Sequence, residues 1–182
     1  MAHPLVTSLV AGLALAIGSA TSCEQSTPPA AAAPPAAKDA GGLPVEKLTV
    51  GGETFNVKLA LDDASRQRGL GGVTELKAEE GMLFVFPDPQ RRFFWMKDCV
   101  IDIDIAFIDP FGFVTTTHTM AKEAPRAADE PLATYEARLV RYRSLSPAQF
   151  ALELAPGTFK RLGIKRGSKI DLDLPRLKAA AK

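Results

Sequence analysis

Nine residues, Ile101 to Asp109 (IDIDIAFID), alternate apolar and mostly acidic side chains with a period of two. Successive side chains of a strand point to opposite faces. Ile101, Ile103, Ile105 and Phe107 are therefore predicted to share one face, and Asp102, Asp104 and Ala106 the other. A helix would scatter the four apolar residues around its axis. This segment commits the middle of the chain to a sheet and sets the pattern against which the rest reads.

The same alternation recurs in short runs. VEKLTV (Val45–Val50) and TFNVKLAL (Thr54–Leu61) flank Gly51-Gly52, a tight-hairpin signal. Asp62-Asp63 offers helix N-caps before ASRQRGL, and the glycines at 69, 71 and 72 end that helix. GMLFVF (Gly81–Phe86) and FFWMK, separated by the PDPQ turn, are expected to form a second antiparallel pair. FVTTTHTM follows the DPFG turn after Asp109, and FALEL (Phe150–Leu154) and KIDLDL (Lys169–Leu174) read as further strands. Leu132, Tyr135, Leu139 and Tyr142 recur at helical spacing, and TFKRL after Pro156-Gly157 suggests one helical turn. The expected fold is mainly β, a single compact antiparallel β sandwich or small closed barrel with two short helices; an α+β arrangement is the alternative.

The predicted core occupies residues 44–175, with residues 176–182 as a frayed tail. Leu5 to Ile17 is apolar, too short to span a bilayer but long enough for a signal peptide, so residues 1–22 are expected to be one. Ala20-Thr21-Ser22-Cys23 resembles a bacterial lipobox, which makes Cys23 a candidate lipidation site; cleavage after Ala20 stays open. Cys23 and Cys99 are the only cysteines, and a disulfide between them would tether a tail and stabilise little. Residues 23–43, rich in proline and alanine, are expected to be a flexible spacer, whose Gln25–Gly42 tract reaches about 50 Å as largely polyproline II at about 3.1 Å per residue. Anchor plus spacer predict an exported domain, on an outer membrane facing the periplasm, with a soluble periplasmic or secreted form as the alternative.

The net charge of +1, with no Arg/Lys stripe, gives no reason to expect nucleic acid. Nucleophile-elbow, Cys-x-x-Cys, His-Glu-x-x-His and phosphate-loop motifs are absent, so no cofactor or metal is expected. Asp102 and Asp104 stand about 6.5–7 Å apart on one strand face, a spacing open to paired carboxylates, but a solvent-facing polar strand explains them as well. Asp104 could also be half-buried against Lys97 or Arg68. Cys99 and His118 would make a nucleophilic pair only if the fold brought them together.

The blocks RQRGL (Arg66–Leu70), GMLFVF, FWMK (Phe94–Lys97) with IDIAFID (Ile103–Asp109), and ALELAPG (Ala151–Gly157) with LGIKRG (Leu162–Gly167), in this order and spacing, resemble the domain of unknown function 192 family. The resemblance covers roughly Val45 to Leu174 and implies a compact, mainly β, often exported domain without an established activity. Gly71, Asp98, Cys99, Asp102 and Ser168 depart from the family pattern, which weakens Cys99 and Asp102 as shared functional residues. Trp95 and Lys97 match it. Together with Asp104, and with Arg68 and Glu153, they are candidates for lining a small ligand-binding cleft. The expected role is a cell-envelope binding or accessory module with a small-molecule or envelope-protein partner. An envelope enzyme using Lys97 and Asp104, or a structural docking domain, is the alternative.

Overall fold

The computed structural model describes residues 37–39 and 41–182; the expected signal peptide and Cys23 lie outside the described residues. The protein is mainly β. Seven strands form one mixed sheet: β1 (Ala37–Lys38), β2 (Pro44–Val50), β3 (Glu53–Ala60), β4 (Glu80–Gln90), β6 (Ile103–Ile108), β7 (Val114–Met120) and β9 (Ala148–Leu154). Their order is β1-β2-β3-β4-β9-β6-β7. A second sheet pairs β5 (Phe93–Phe94) with β8 (Tyr142–Arg143). The main sheet is open, with β1 and β7 at its edges, so the barrel alternative is not realised.

The glycine pair at 51–52 closes the β2–β3 hairpin as expected. From β3 the chain crosses over through α1 (Asp63–Arg68) into β4, which lies parallel to β3. Asp62 caps α1 through a capping box with Ser65, its carboxylate accepting from the Ser65 backbone N–H at 2.8 Å. Gly69 ends the helix at a φ of 50°, a conformation that disfavours any side chain. Gly81 serves a different purpose: a Cβ there would stand 2.6 Å from the Glu153 carbonyl, so glycine lets β4 and β9 approach.

The three central strands β4, β9 and β6 are buried on both faces along much of their length. One face packs Leu83, Val85, Ala106, Ile108, Leu152 and Leu154 against Phe159 of α3 (Thr158–Arg161) and Leu177 of α4 (Leu174–Ala180). The other packs Met82, Phe84, Ile105, Phe107 and Ala151 against Leu70, Met96 and the β5–β8 sheet with its Phe94 and Tyr142. Full burial of side chains of this size contributes on the order of 2 kcal/mol each, so the two apolar layers dominate the fold's stability.

Several expectations are corrected. FFWMK does not pair with GMLFVF; β5 pairs with β8, while β4 continues through PDPQ and meets β9. KIDLDL buries Ile170 and Leu172 as its alternation suggests, but makes only one isolated bridge, Phe113 to Lys169. The tail is helical: Asp173 caps α4, and Pro175 in its first turn needs no backbone donor there, so the helix starts where frayed chain was expected. Among the described residues there are four short helices rather than two. At the other end, Ala37–Lys38 adds a strand where a flexible spacer was expected, helped by the Asp39–Lys58 ion pair at 3.1 Å.

Candidate functional site

The two carboxylates of the IDID run part company. Asp102 is exposed and accepts from the Lys122 backbone N–H at 2.8 Å. Asp104 is 2% exposed, not solvent-facing, because α3 covers that strand face. Its Oδ1 accepts from the Thr119 hydroxyl at 2.7 Å and its Oδ2 from the Phe159 backbone N–H at 3.2 Å. It pairs with neither Lys97 nor Arg68. These bonds fix the start of α3 and the β6–β7 pairing, which is structural work.

On the opposite face lies a cleft of about 1240 Å³. Four of the five candidate ligand-binding residues, Arg68, Trp95, Lys97 and Glu153, line it; Asp104 does not. An enzyme site combining Lys97 with Asp104 would have to act across the sheet. Arg68 comes from the end of α1 and stands exposed at the rim. Trp95 and Lys97 follow β5. The Trp95 indole is held by the Arg141 guanidinium, 4.3 Å from its centroid, and by an edge-to-face contact with Phe93 at 6.4 Å. Deeper in, Phe94 makes edge-to-face contacts with Phe84 at 4.8 Å and Phe107 at 5.5 Å.

Lys97 reaches Glu136 of α2 (Leu132–Arg138) at 2.5 Å. That hydrogen bond raises the lysine above its ordinary value. The turn after Lys97 is fixed by Asp98, which has a φ of 57° and whose backbone N–H donates to the buried Tyr135 hydroxyl at 2.9 Å. Asp tolerates this left-handed conformation, as Asn, which the resemblance puts there, does.

Glu153 stands at the cleft floor. It is 4% exposed and faces the apolar layer of Met82 and Ile105, its partners on β4 and β6. Its Oε2 is buried and has no hydrogen-bond partner. Burial pushes the carboxyl up to about 8, so the side chain is neutral at neutral pH. Cys99 lines the same cleft; burial, then the negative charges of Glu153 once it has ionised and of Asp98, push its thiol up to about 12. Its Sγ lies 3.5 Å from the Lys97 carbonyl. His118 bonds elsewhere, to the Arg143 carbonyl at 2.9 Å, so the two do not form a nucleophile–base pair.

The sequence profile of the domain of unknown function 192 family, described as "Uncharacterized ACR", matches residues 46–172. The chain belongs to this family. Two solved structures are similar to it. A protein of unknown function from Novosphingobium aromaticivorans shares 31% identity at a TM-score of 0.60, over 78% of this chain and 94% of its own. A Sinorhizobium meliloti protein, provisionally assigned as a transcription regulator, shares 30% identity at a TM-score of 0.55, over 70% of this chain and 90% of its own. No curated protein matches significantly. Membership in the domain of unknown function 192 family thus accounts for the architecture and leaves the chemistry to the cleft.

Among the described residues, no group of three or more His, Cys, Asp and Glu side chains could hold a metal ion, and no helix is long and apolar enough to cross a membrane. Sequence reasoning missed Glu136 and Arg141. Both lie in the 132–143 segment, where helical spacing picked out the buried Tyr135 and Leu139, but Leu132 is exposed, Tyr142 lies on β8, and nothing indicated which loop the helix would cover.

Proposed function

We propose that the protein is a small-ligand-binding module, with the cleft between α1, β5 and α2 as its site. The observation that carries this reading is Glu153: a carboxyl buried among apolar side chains, with one oxygen unpartnered, at the floor of a large cleft. Such a group costs stability wherever it has no partner, and a bound ligand would supply one. The aromatic wall supports the same reading, since Trp95 is already fixed by Arg141 and Phe93 and a ligand would not have to order it. The cell envelope is the proposed setting, with Cys23 as lipid anchor; loss of membrane association in a Cys23→Ala variant is the expected result, and unchanged fractionation contradicts it.

Trp95 is the chain's sole tryptophan, so its fluorescence reports on the cleft directly. Screening small sugars, polyols, carboxylates and phosphates against intrinsic fluorescence and melting temperature tests the proposal. At least one class should shift both signals together, and Trp95→Leu should weaken its thermal shift. If no class moves either signal in the intact protein, the cleft is not a small-molecule site.

A further inference from the structure

We propose that the cleft takes a neutral, hydroxyl-bearing ring of the sugar or cyclic polyol class, with one ligand hydroxyl paired to the Glu153 carboxyl and the ring packed against Trp95. This rests on the reading of the cleft as a ligand site and adds the chemistry of what fills it.

The rim argues against a charged ligand. Three of its cations already have partners: Arg66 with Asp63 at 2.6 Å, Arg92 with Asp88 at 2.7 Å, and Lys97 with Glu136 at 2.5 Å. To pair with one of these three cations an anionic ligand would have to displace its carboxylate, and a cationic ligand would have to displace the base. Arg68, Asp98 and Lys182 are exposed, where water and salt screen them. At the floor, a ligand carboxylate would bring a charge into an apolar layer that already keeps Glu153 uncharged.

A protonated carboxyl offers one O–H donor and an acceptor oxygen, and a hydroxyl offers the same complement. The pair satisfies both groups without burying charge. The other titratable and charged groups of the lining, beyond the three rim pairs, come from neighbouring elements. The sheet neighbours of Glu153, Met82 and Ile105, carry no charge. Cys99 and Asp98 approach from the turn after β5, Arg68 from the end of α1, and Glu136 from α2, where Lys97 holds it. Ionising Glu153 would remove the donor, so binding should weaken as Glu153 loses its proton.

The test titrates wild-type protein with methyl glucoside, inositol and N-acetylglucosamine, and with the charged counterparts glucuronate and glucosamine. Trp95 fluorescence and calorimetry are read near pH 6.5 and near pH 9.5. The expected result is that near pH 6.5, where glucosamine carries its charge, a neutral probe binds at least about tenfold tighter than either charged one, and that its affinity falls at least about tenfold at the higher pH. Glu153→Gln keeps a donor and an acceptor without the proton, so its affinity should stay within about threefold across the same range. Glu153→Leu should bind weakly at both. Tighter binding of glucuronate or glucosamine overturns the ligand class while leaving the cleft as a site. Wild-type affinity that does not change with pH overturns the role of Glu153. No binding by any probe, charged or neutral, overturns the cleft reading as well.

Discussion

Asp104 and Glu153 lie on neighbouring strands, one residue apart in register, and point to opposite faces of the sheet. Both are buried carboxyls in short apolar runs, IDIAF and FALEL. Asp104 has the Thr119 hydroxyl on one oxygen and the Phe159 amide on the other. Glu153 has an oxygen with nothing on it. The first holds two elements together. The second costs stability where it stands, and on the proposed reading a ligand in the cleft would supply its missing partner. Burial alone therefore does not mark a functional carboxyl; an empty hydrogen-bonding position beside an open space does.

The cleft floor should keep its buried carboxyl and thiol neutral, and Cys99 provides the largest test of that half of the comparison. With its thiol pushed up to about 12, Cys99 in a Cys23→Ser background should react with iodoacetamide near pH 8 about a thousandfold more slowly than in unfolded protein. Rapid labelling of the folded form would show a polar, solvated cleft instead.

Glu153 provides the next. Folded, it holds its proton up to about pH 8; unfolded, it releases it near the ordinary 4.5. The unfolded state binds fewer protons between these values. The contribution of Glu153 to stability should thus be greatest below about 4.5, fall as pH rises towards 8, and level off above. Replacing Glu153 by Gln removes that slope, and denaturant titration should find the variant gaining roughly 3 kcal/mol on wild type between pH 5 and pH 8. Asp104 should respond in the opposite sense. Asp104→Ala strips acceptors from Thr119 and Phe159 and should cost about 2 kcal/mol, while leaving Trp95 fluorescence and probe binding in place. If Asp104→Ala stabilised and Glu153→Gln destabilised, the comparison would be inverted. The smallest effect belongs to the rim: Lys97→Ala breaks a partly exposed ion pair, and unfolding should show a loss below about 1 kcal/mol.

Much of this was legible in the sequence, and the gaps have physical causes. The period-two alternation located β6 and the β2–β3 hairpin, and the Asp62 cap located α1, because each depends on residues close in the chain. The parallel β3–β4 pairing was not legible, since it depends on how α1 packs back on the sheet. KIDLDL shows strand alternation because one side of it is buried, yet it lies where only Phe113 is near enough to bridge. The candidate set Arg68, Trp95, Lys97 and Glu153 does meet in one cleft. Asp104, a candidate because it matches the family's aspartate and could pair with Lys97 or Arg68, does not join them: the alternation that sets it opposite Ile103 and Ile105 takes it to the other face. That Glu153 lacks a partner depends on Met82 and Ile105 beside it, which only the strand order reveals.

The central claim is that Glu153 is a neutral carboxyl at the floor of the cleft at physiological pH. A ¹³C titration of the glutamate side-chain carboxyls, with Glu153→Gln assigning the resonance, measures this directly. The expected midpoint for Glu153 is about 8. A Glu153 midpoint near 4.5 would mean a solvated, ionised carboxylate and would contradict the account.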